Sequence, residues 1–468
     1  MTIFEQNRFS AGFTRIFPVA AVLALLSIAG AASAEIDGVP GDEFDLTASE
    51  GYISIADGGS VYSWGYSVDG TMQLPGPTLI VTEDVPVTIT LTNALPAAAG
   101  NVSIVVAGQS MQPCAAADLV GGECPTPTGV QGALTQEAPN GGSVTYTFTP
   151  TEPGTYEYHS GTRSDLQVEM GLYGAIIVRP AVTAAGCAHS AYQHAQTCYD
   201  REYLFLLSEI DMQVHQAAED QRSGSELIDV GTGEFNSVYW LLNGRAGPDT
   251  MAEAGTATLP AQPYNSLPRM EPGERLLLRV VGAGREMHPF HTHGNHARVL
   301  ARDGNLILSE TDPNQLAGPL LFTIPSVPGG TFDAVFEWTG QDLGWDVYGT
   351  GAAYEHSCNG TSVTGTAPVS SPGFDPTTNE YCPDHGKEIP VTLPSLSSLA
   401  FGGFYSGSPY LGGMGGSLPP GEGGLNPNAG FAYMWHSHTE RELVNNDVFP
   451  GGMMTMLIIE APGTLPSE

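Results

Sequence analysis

Met434-Trp435-His436-Ser437-His438, with its partner stretch His288-Pro289-Phe290-His291-Thr292-His293-Gly294, decides how this chain reads. Each stretch carries histidines two residues apart. On a β-strand, residues two apart point to the same face. His291 with His293, and His436 with His438, are therefore each expected to act as a facing pair. On neighbouring strands the two pairs would converge, and imidazoles are common transition-metal ligands. Ser437 between two histidines superficially suggests a nucleophile beside its base. Consecutive strand residues face opposite sides, so neither histidine is placed to take the hydroxyl proton, and hydrolysis is discounted. No phosphate loop or paired catalytic carboxylate stands out.

The surrounding sequence supports strands. Glycine and proline are abundant, at 59 and 36 of 468 residues, and aromatic and β-branched runs recur between them. Ser143-Val144-Thr145-Tyr146-Thr147-Phe148 alternates with period two, and Val85 to Leu91 and Gly174 to Val178 are short apolar strands. A comparable block runs through Tyr203–Leu207, Arg275–Val281 and Phe332–Phe336 and closes with Met454–Ile459. This pattern predicts an all-β chain of two β-sandwiches of similar plan. The expected units are 35–182 and 200–462, joined by a linker at 183–199. An irregular Gly-, Ser- and Pro-rich insert at 342–430 lies inside the second unit. So long an insert suggests a lid, a partner surface or a disordered segment.

Residues 1–34 read as a secretory signal. Arg8 and Arg15 flank the polar start, an apolar run follows from Phe17, and Ala32-Ser33-Ala34 forms a small-residue cleavage site. No later stretch reaches the roughly 20 apolar residues needed to cross a bilayer. A soluble periplasmic or secreted protein is expected. Net charge is −35, from 50 acids against 15 bases, with Lys387 the one lysine. Such a surface repels nucleic acid and anionic membranes. Six cysteines fall into local pairs, 114 with 124, 187 with 198 and 358 with 382. In an exported chain these read as disulfides, which would leave no thiolate for a metal.

These motifs resemble those of the multicopper oxidases, with the two-domain laccases and copper nitrite reductases the most similar in plan. Leu74-Pro75-Gly76-Pro77 is similar to an early strand of that family, Tyr158-His159-Ser160-Gly161 before Gly171-Leu172-Tyr173-Gly174 to its second copper motif, and 288–294 to its third. The resemblance implies two cupredoxin-like Greek-key β-sandwich domains, copper as cofactor, and a homotrimer. It also implies departures. The first copper motif is replaced by Val105-Val106-Ala107-Gly108, the cysteine of the fourth by Ser437, and the next histidine by Glu442.

The family's electron-accepting type 1 copper would keep only His288, beside Ser437 and Glu442. A hydroxyl and a carboxylate do not replace a thiolate and an imidazole as ligands of a blue copper centre. Five of the eight positions of the oxygen-reducing cluster remain. His159 with His438 would serve one copper, His293 with His436 a second, and His291 a third. The expectation is an oxidase scaffold that binds one copper, or another transition metal, through three or four of these histidines. Glu440 or Glu442 are possible additional ligands. Electrons would come from a substrate or a redox partner protein. The rival expectation is a metal-free structural or partner-binding module. His189, His194, His215, His296, His356 and His385 are expected to be ordinary structural histidines, and Met453, Met454 and Met456 to pack in the core.

Overall fold

The two strands that carry the histidine pairs, His288–Thr292 and Phe431–Ser437, lie side by side and antiparallel, so that His291 faces His436. The computed structural model describes residues 36–466, except 342, 350–355, 359–360, 364–372, 377–379, 391–406, 410–422 and 425–429. The leader expected at 1–34 lies outside the described residues, as does much of the 342–430 insert.

Nearly all regular structure is β. Among the described residues the α-helices are Ser164–Gln167 and Met212–Gln221. The first sandwich pairs a four-stranded sheet, ordered Ser60–Ser67, Glu43–Ser54, Val87–Asn93 and Ser143–Phe148, with a five-stranded one. The latter runs Val39–Pro40, Leu79–Thr82, Tyr173–Arg179, Gly154–His159 and Val105–Val106. Strand alternation builds its core: Val87, Ile89 and Leu91 point inward, while Thr88 and Thr90 pair outside with Thr147 and Thr145. The Met212–Gln221 helix starts where the Asp211 side chain accepts a hydrogen bond from the Gln213 N–H. It lays Val214 and Ala218, four residues apart, on this core.

The second sandwich repeats the plan. One sheet runs Tyr239–Leu242, Arg201–Ile210, Arg275–Gly282, Thr331–Glu337, Ala297–Arg302 and Asn305–Leu306. The other runs Arg269–Met270, Met454–Ile459, Phe431–Ser437, His288–Thr292 and Thr323–Ser326. Aromatic side chains fill the space between them, with Phe205, Phe290, Phe336 and Trp435 in mutual ring contact. Met453 is buried in this core. So are Leu343, Trp345, Val347, Tyr348 and Ile389 of the insert.

Arg275–Gly282 is buried on both faces because both are covered. Leu276, Leu278 and Val280 enter the second core, Leu277 meets linker residues Tyr192 and Tyr199, and Val281 enters an apolar layer between the sandwiches. Arg279, fully buried, ion-pairs with Glu202 at 2.8 Å and with Asp333 at 3.4 Å. From the first sandwich, Thr155 donates to Asp333 and accepts from Arg279 at 3.1 Å. The junction is thus apolar with an ionic network inside it. All six cysteines form the three expected disulfides, which leaves no free thiol among the described residues.

Candidate metal centre

His291 stands on the strand His288–Thr292, His293 follows that strand, and His436 sits opposite His291 on Phe431–Ser437. The three imidazoles converge. Ring centroids are 4.8 Å apart for His291 and His293, 5.5 Å for His291 and His436, and 5.1 Å for His293 and His436. One ring nitrogen from each lies within 4.8 Å of the others, and all three side chains are buried. The Nε2 atoms of His436 and His293 are 3.2 Å apart. Two imidazole nitrogens on one copper or zinc ion, each about 2.0–2.1 Å from it, stand roughly 3.3 Å apart. The donor set therefore fits such an ion.

Local contacts set the rings for that task. The Nδ1–H of His436 donates to the Ser437 carbonyl at 2.6 Å. A carbonyl only accepts, so Nδ1 carries the proton and Nε2 presents a lone pair toward His293. His291 Nδ1 bonds the Thr323 hydroxyl at 2.8 Å, and Thr323 belongs to the adjoining strand. Burial, reinforced by neighbouring His436 and His438, pushes the His291 pKa down to about 4. Burial also lowers that of His436. Both rings are neutral near pH 7, the form that binds metals.

Of the remaining predicted residues, His438 borders this triad and the others sit apart from it. His438 is half exposed, although its ring centroid lies 4.7 Å from that of His291. Glu440, 3.7 Å from His438, is almost fully exposed. His159 ends the strand Gly154–His159, half-buried, with Nδ1 donating to the Ser160 carbonyl at 3.0 Å. Its register partner is Val105. His215 is buried with Nδ1 against the Tyr62 carbonyl and Nε2 against that of Glu169.

His288 is engaged elsewhere. Its Nδ1 meets Glu442 at 3.0 Å and its Nε2 meets Glu209 at 2.9 Å. Glu442 also accepts the Ser437 hydroxyl, and that hydroxyl accepts the Thr439 N–H at 3.2 Å. Burial works against a charge on His288, but the two carboxylates outweigh it and push its pKa up to about 9. An imidazolium clamped between two carboxylates therefore occupies this corner. Neither Glu209 nor Thr323 was legible as a site residue. Both are remote in sequence and lie outside any local motif: sheet order brings Thr323 beside His291, and packing of the facing sheet brings Glu209 to His288.

Residues 51–182 match the family model described as multicopper oxidase. Among solved structures, the chain is similar to "Multicopper Oxidase mgLAC" at 17% identity, covering 91% of this chain and 87% of that one with a TM-score of 0.51. It is also similar to the blue copper oxidase from Nitrosomonas europaea, at 17% identity, 89% and 85% coverage and a TM-score of 0.49. The copper nitrite reductase from Nitrosomonas europaea aligns at 20% identity, 63% and 84% coverage and a TM-score of 0.42. No curated protein sequence matches the chain. The expected cupredoxin-like β-sandwich fold and the resemblance to multicopper oxidases are thus borne out, at low sequence identity. Among the described residues no helix is long and apolar enough to cross a membrane.

Proposed function

We propose that this is an exported, divergent multicopper-oxidase-like protein that binds a copper ion, or another transition metal, at His291, His293 and His436. The observation that carries this reading is the convergence of three buried imidazoles with ligand atoms within 4.8 Å. A copper ion held there would supply one-electron redox chemistry. The chain's own residues would do the rest. Thr323 and the Ser437 carbonyl orient the rings, and burial keeps the two strand-borne rings unprotonated.

The same reading has no type 1 copper. All six cysteines are in disulfides, and Glu209 and Glu442 take both nitrogens of His288. A His₂Cys set cannot form from these groups. An ordinary four-copper laccase activity is accordingly not part of the proposal. Export is supported by the three disulfides, which persist in oxidising compartments. A homotrimer remains part of the proposal, with His159 the histidine that an adjoining copy would bring.

Elemental analysis of the mature protein, purified after copper supplementation, tests the reading beside a His291→Ala/His436→Ala variant. About one metal ion per chain in the wild type, lost in the variant, is the expected result. A metal-free wild type would overturn it in favour of a scaffold that binds partners.

A further inference from the structure

An open groove of about 650 Å³ crosses the second sandwich on the face turned from that sandwich's core. Its volume falls in the range of small-molecule sites. One wall is the linker turn at Gln196, the floor is Leu300 and Val335, and the opposite rim includes Leu320. The walls are tied together. The Gln196 side chain accepts the Leu316 N–H at 2.8 Å, and the Gln196 carbonyl accepts from Arg275 at 3.0 Å. The Cys187–Cys198 disulfide closes the loop that carries this turn.

The charge in the groove runs against that of the chain. Net charge is −35, yet two guanidiniums, Arg275 and Arg298, meet one carboxylate, Glu337, in the lining. Arg275 is neutralised by Glu337 at 2.9 Å. Arg298 is anchored through one N–H to the Gly318 carbonyl at 2.9 Å. It has no carboxylate within ion-pair reach among the described residues. A guanidinium held in place with donors to spare suits bidentate recognition of a carboxylate. Beside it the surface is apolar: Leu320 is 54% exposed and Phe322 is 53% exposed. Phe322 makes an edge contact with His296, which also lines the groove.

We propose that this groove binds a small organic carboxylate, its anionic end on Arg298 and its apolar body against Leu316 and Leu320. Phe322 connects the groove to the triad, since its ring also meets that of His291 at 5.6 Å. A ligand here would lie two rings from His291, those of His296 and Phe322. The groove itself uses none of the metal-binding residues, so the two readings stand or fall separately.

The test is calorimetric titration of the metal-free full mature chain with benzoate and, in parallel, with its neutral analogue benzamide. Benzoate is expected to bind, and benzamide to bind at least about tenfold more weakly, as loss of one charge-assisted pair implies. Arg298→Glu should cost benzoate at least about tenfold, and Arg298→Lys, which keeps the charge without the fork, should retain part of the affinity. Arg302→Glu removes an exposed arginine at the end of the same strand, outside the groove lining, and should leave binding unchanged. No benzoate saturation below about 10 mM, equal binding of benzamide, or equal loss in Arg298→Glu and Arg302→Glu would each overturn the proposal.

Discussion

His436 lies directly across the antiparallel ladder from His291, and this pairing has a counterpart in the first sandwich. There His159 lies across from Val105, again between a central strand and its antiparallel neighbour. The sequences around the two crossings correspond: His159-Ser160-Gly161 to His436-Ser437-His438, and Val105-Val106-Ala107 to His291-Thr292-His293. One plan is used twice. The second copy keeps its converging imidazoles, and the first keeps one.

The triad predicts a metal-dependent gain in stability. A ligand that binds only the folded chain stabilises it by about 2.7 kcal/mol when free ligand is 100 times the dissociation constant. Thermal unfolding with added copper or zinc should show this rise in wild type. His291→Ala and His436→Ala should lose it, and His438→Ala, at a half-exposed ring, should keep most of it. Equal gains in wild type and both buried-site variants would place the metal elsewhere.

The vacated corner makes a spectroscopic prediction. Ser437→Cys alone places a thiol beside Glu442, which also holds His288, and should give no intense blue band on copper addition. Ser437→Cys with Glu442→His restores two imidazoles and a thiolate. The double variant should turn blue if Glu442 is what closes the site. A blue single variant would show that the carboxylates do not hold His288 away from copper.

His288 gives stability a pH dependence of definite sign. Its pKa of about 9 lies above the ordinary histidine value of 6.5. The folded chain therefore holds a proton that the unfolded chain releases. The contribution is fully present below about pH 6.5 and lost as pH rises through about 9, on the order of 3 kcal/mol. His291, held down to about 4, acts in the opposite sense and only below about pH 6.5. Denaturant titrations between pH 6.5 and 9.5 should show the decline. In Glu442→Gln, with one carboxylate gone, the decline should be smaller and level off at lower pH, and an unchanged profile would count against the clamp.

How far the sequence carried the reading follows from where the information lies. Alternation in Val87–Asn93 and the His-X-His spacings are local, so strands, facing pairs and their convergence were all legible. The three disulfides were legible because each joins cysteines close in sequence, at separations of 10, 11 and 24. Glu209 and Thr323 are not, because sheet packing brings Glu209 to His288 and sheet order brings Thr323 to His291, across 79 and 32 residues. The insert's glycine and proline predict irregular structure. Its Trp345 and Val347 nevertheless fill the second core, since composition reports the turns and not what lies between them.

The ionic network at the junction predicts a large cost for a single truncation. Burial alone would disfavour charge on Arg279, but Glu202 and Asp333 keep it charged. Glu202 would likewise be raised by burial, and Arg279 and Arg179 bring it below the usual carboxylate range instead. Removing one partner of a buried pair leaves the other uncompensated, at roughly 3–5 kcal/mol. Arg279→Ala should therefore lower unfolding stability by about that amount. Arg302→Ala, at an exposed pair 3.4 Å from Asp303, should fall within about 0.5 kcal/mol of wild type. Comparable losses in both variants would contradict the network's role.

Glu157 offers the opposite case, a buried carboxyl whose charge no ion pair compensates among the described residues. It lies on Gly154–His159, opposite Ala175, and burial pushes its pKa up to about 8. The folded chain keeps this group protonated at neutral pH, whereas the unfolded chain ionises it above about 4.5. Its contribution to stability is full below about pH 4.5 and falls as pH rises through about 8, where it levels off. Glu157→Gln has no proton to lose. Relative to wild type it should grow more stable across that window, by a few kcal/mol on the order-of-magnitude scale of such shifts. The difference is read from paired denaturant titrations at pH 5, 6.5 and 8. A constant difference would mean that Glu157 is already ionised in the folded protein, held by contacts that burial alone does not reveal.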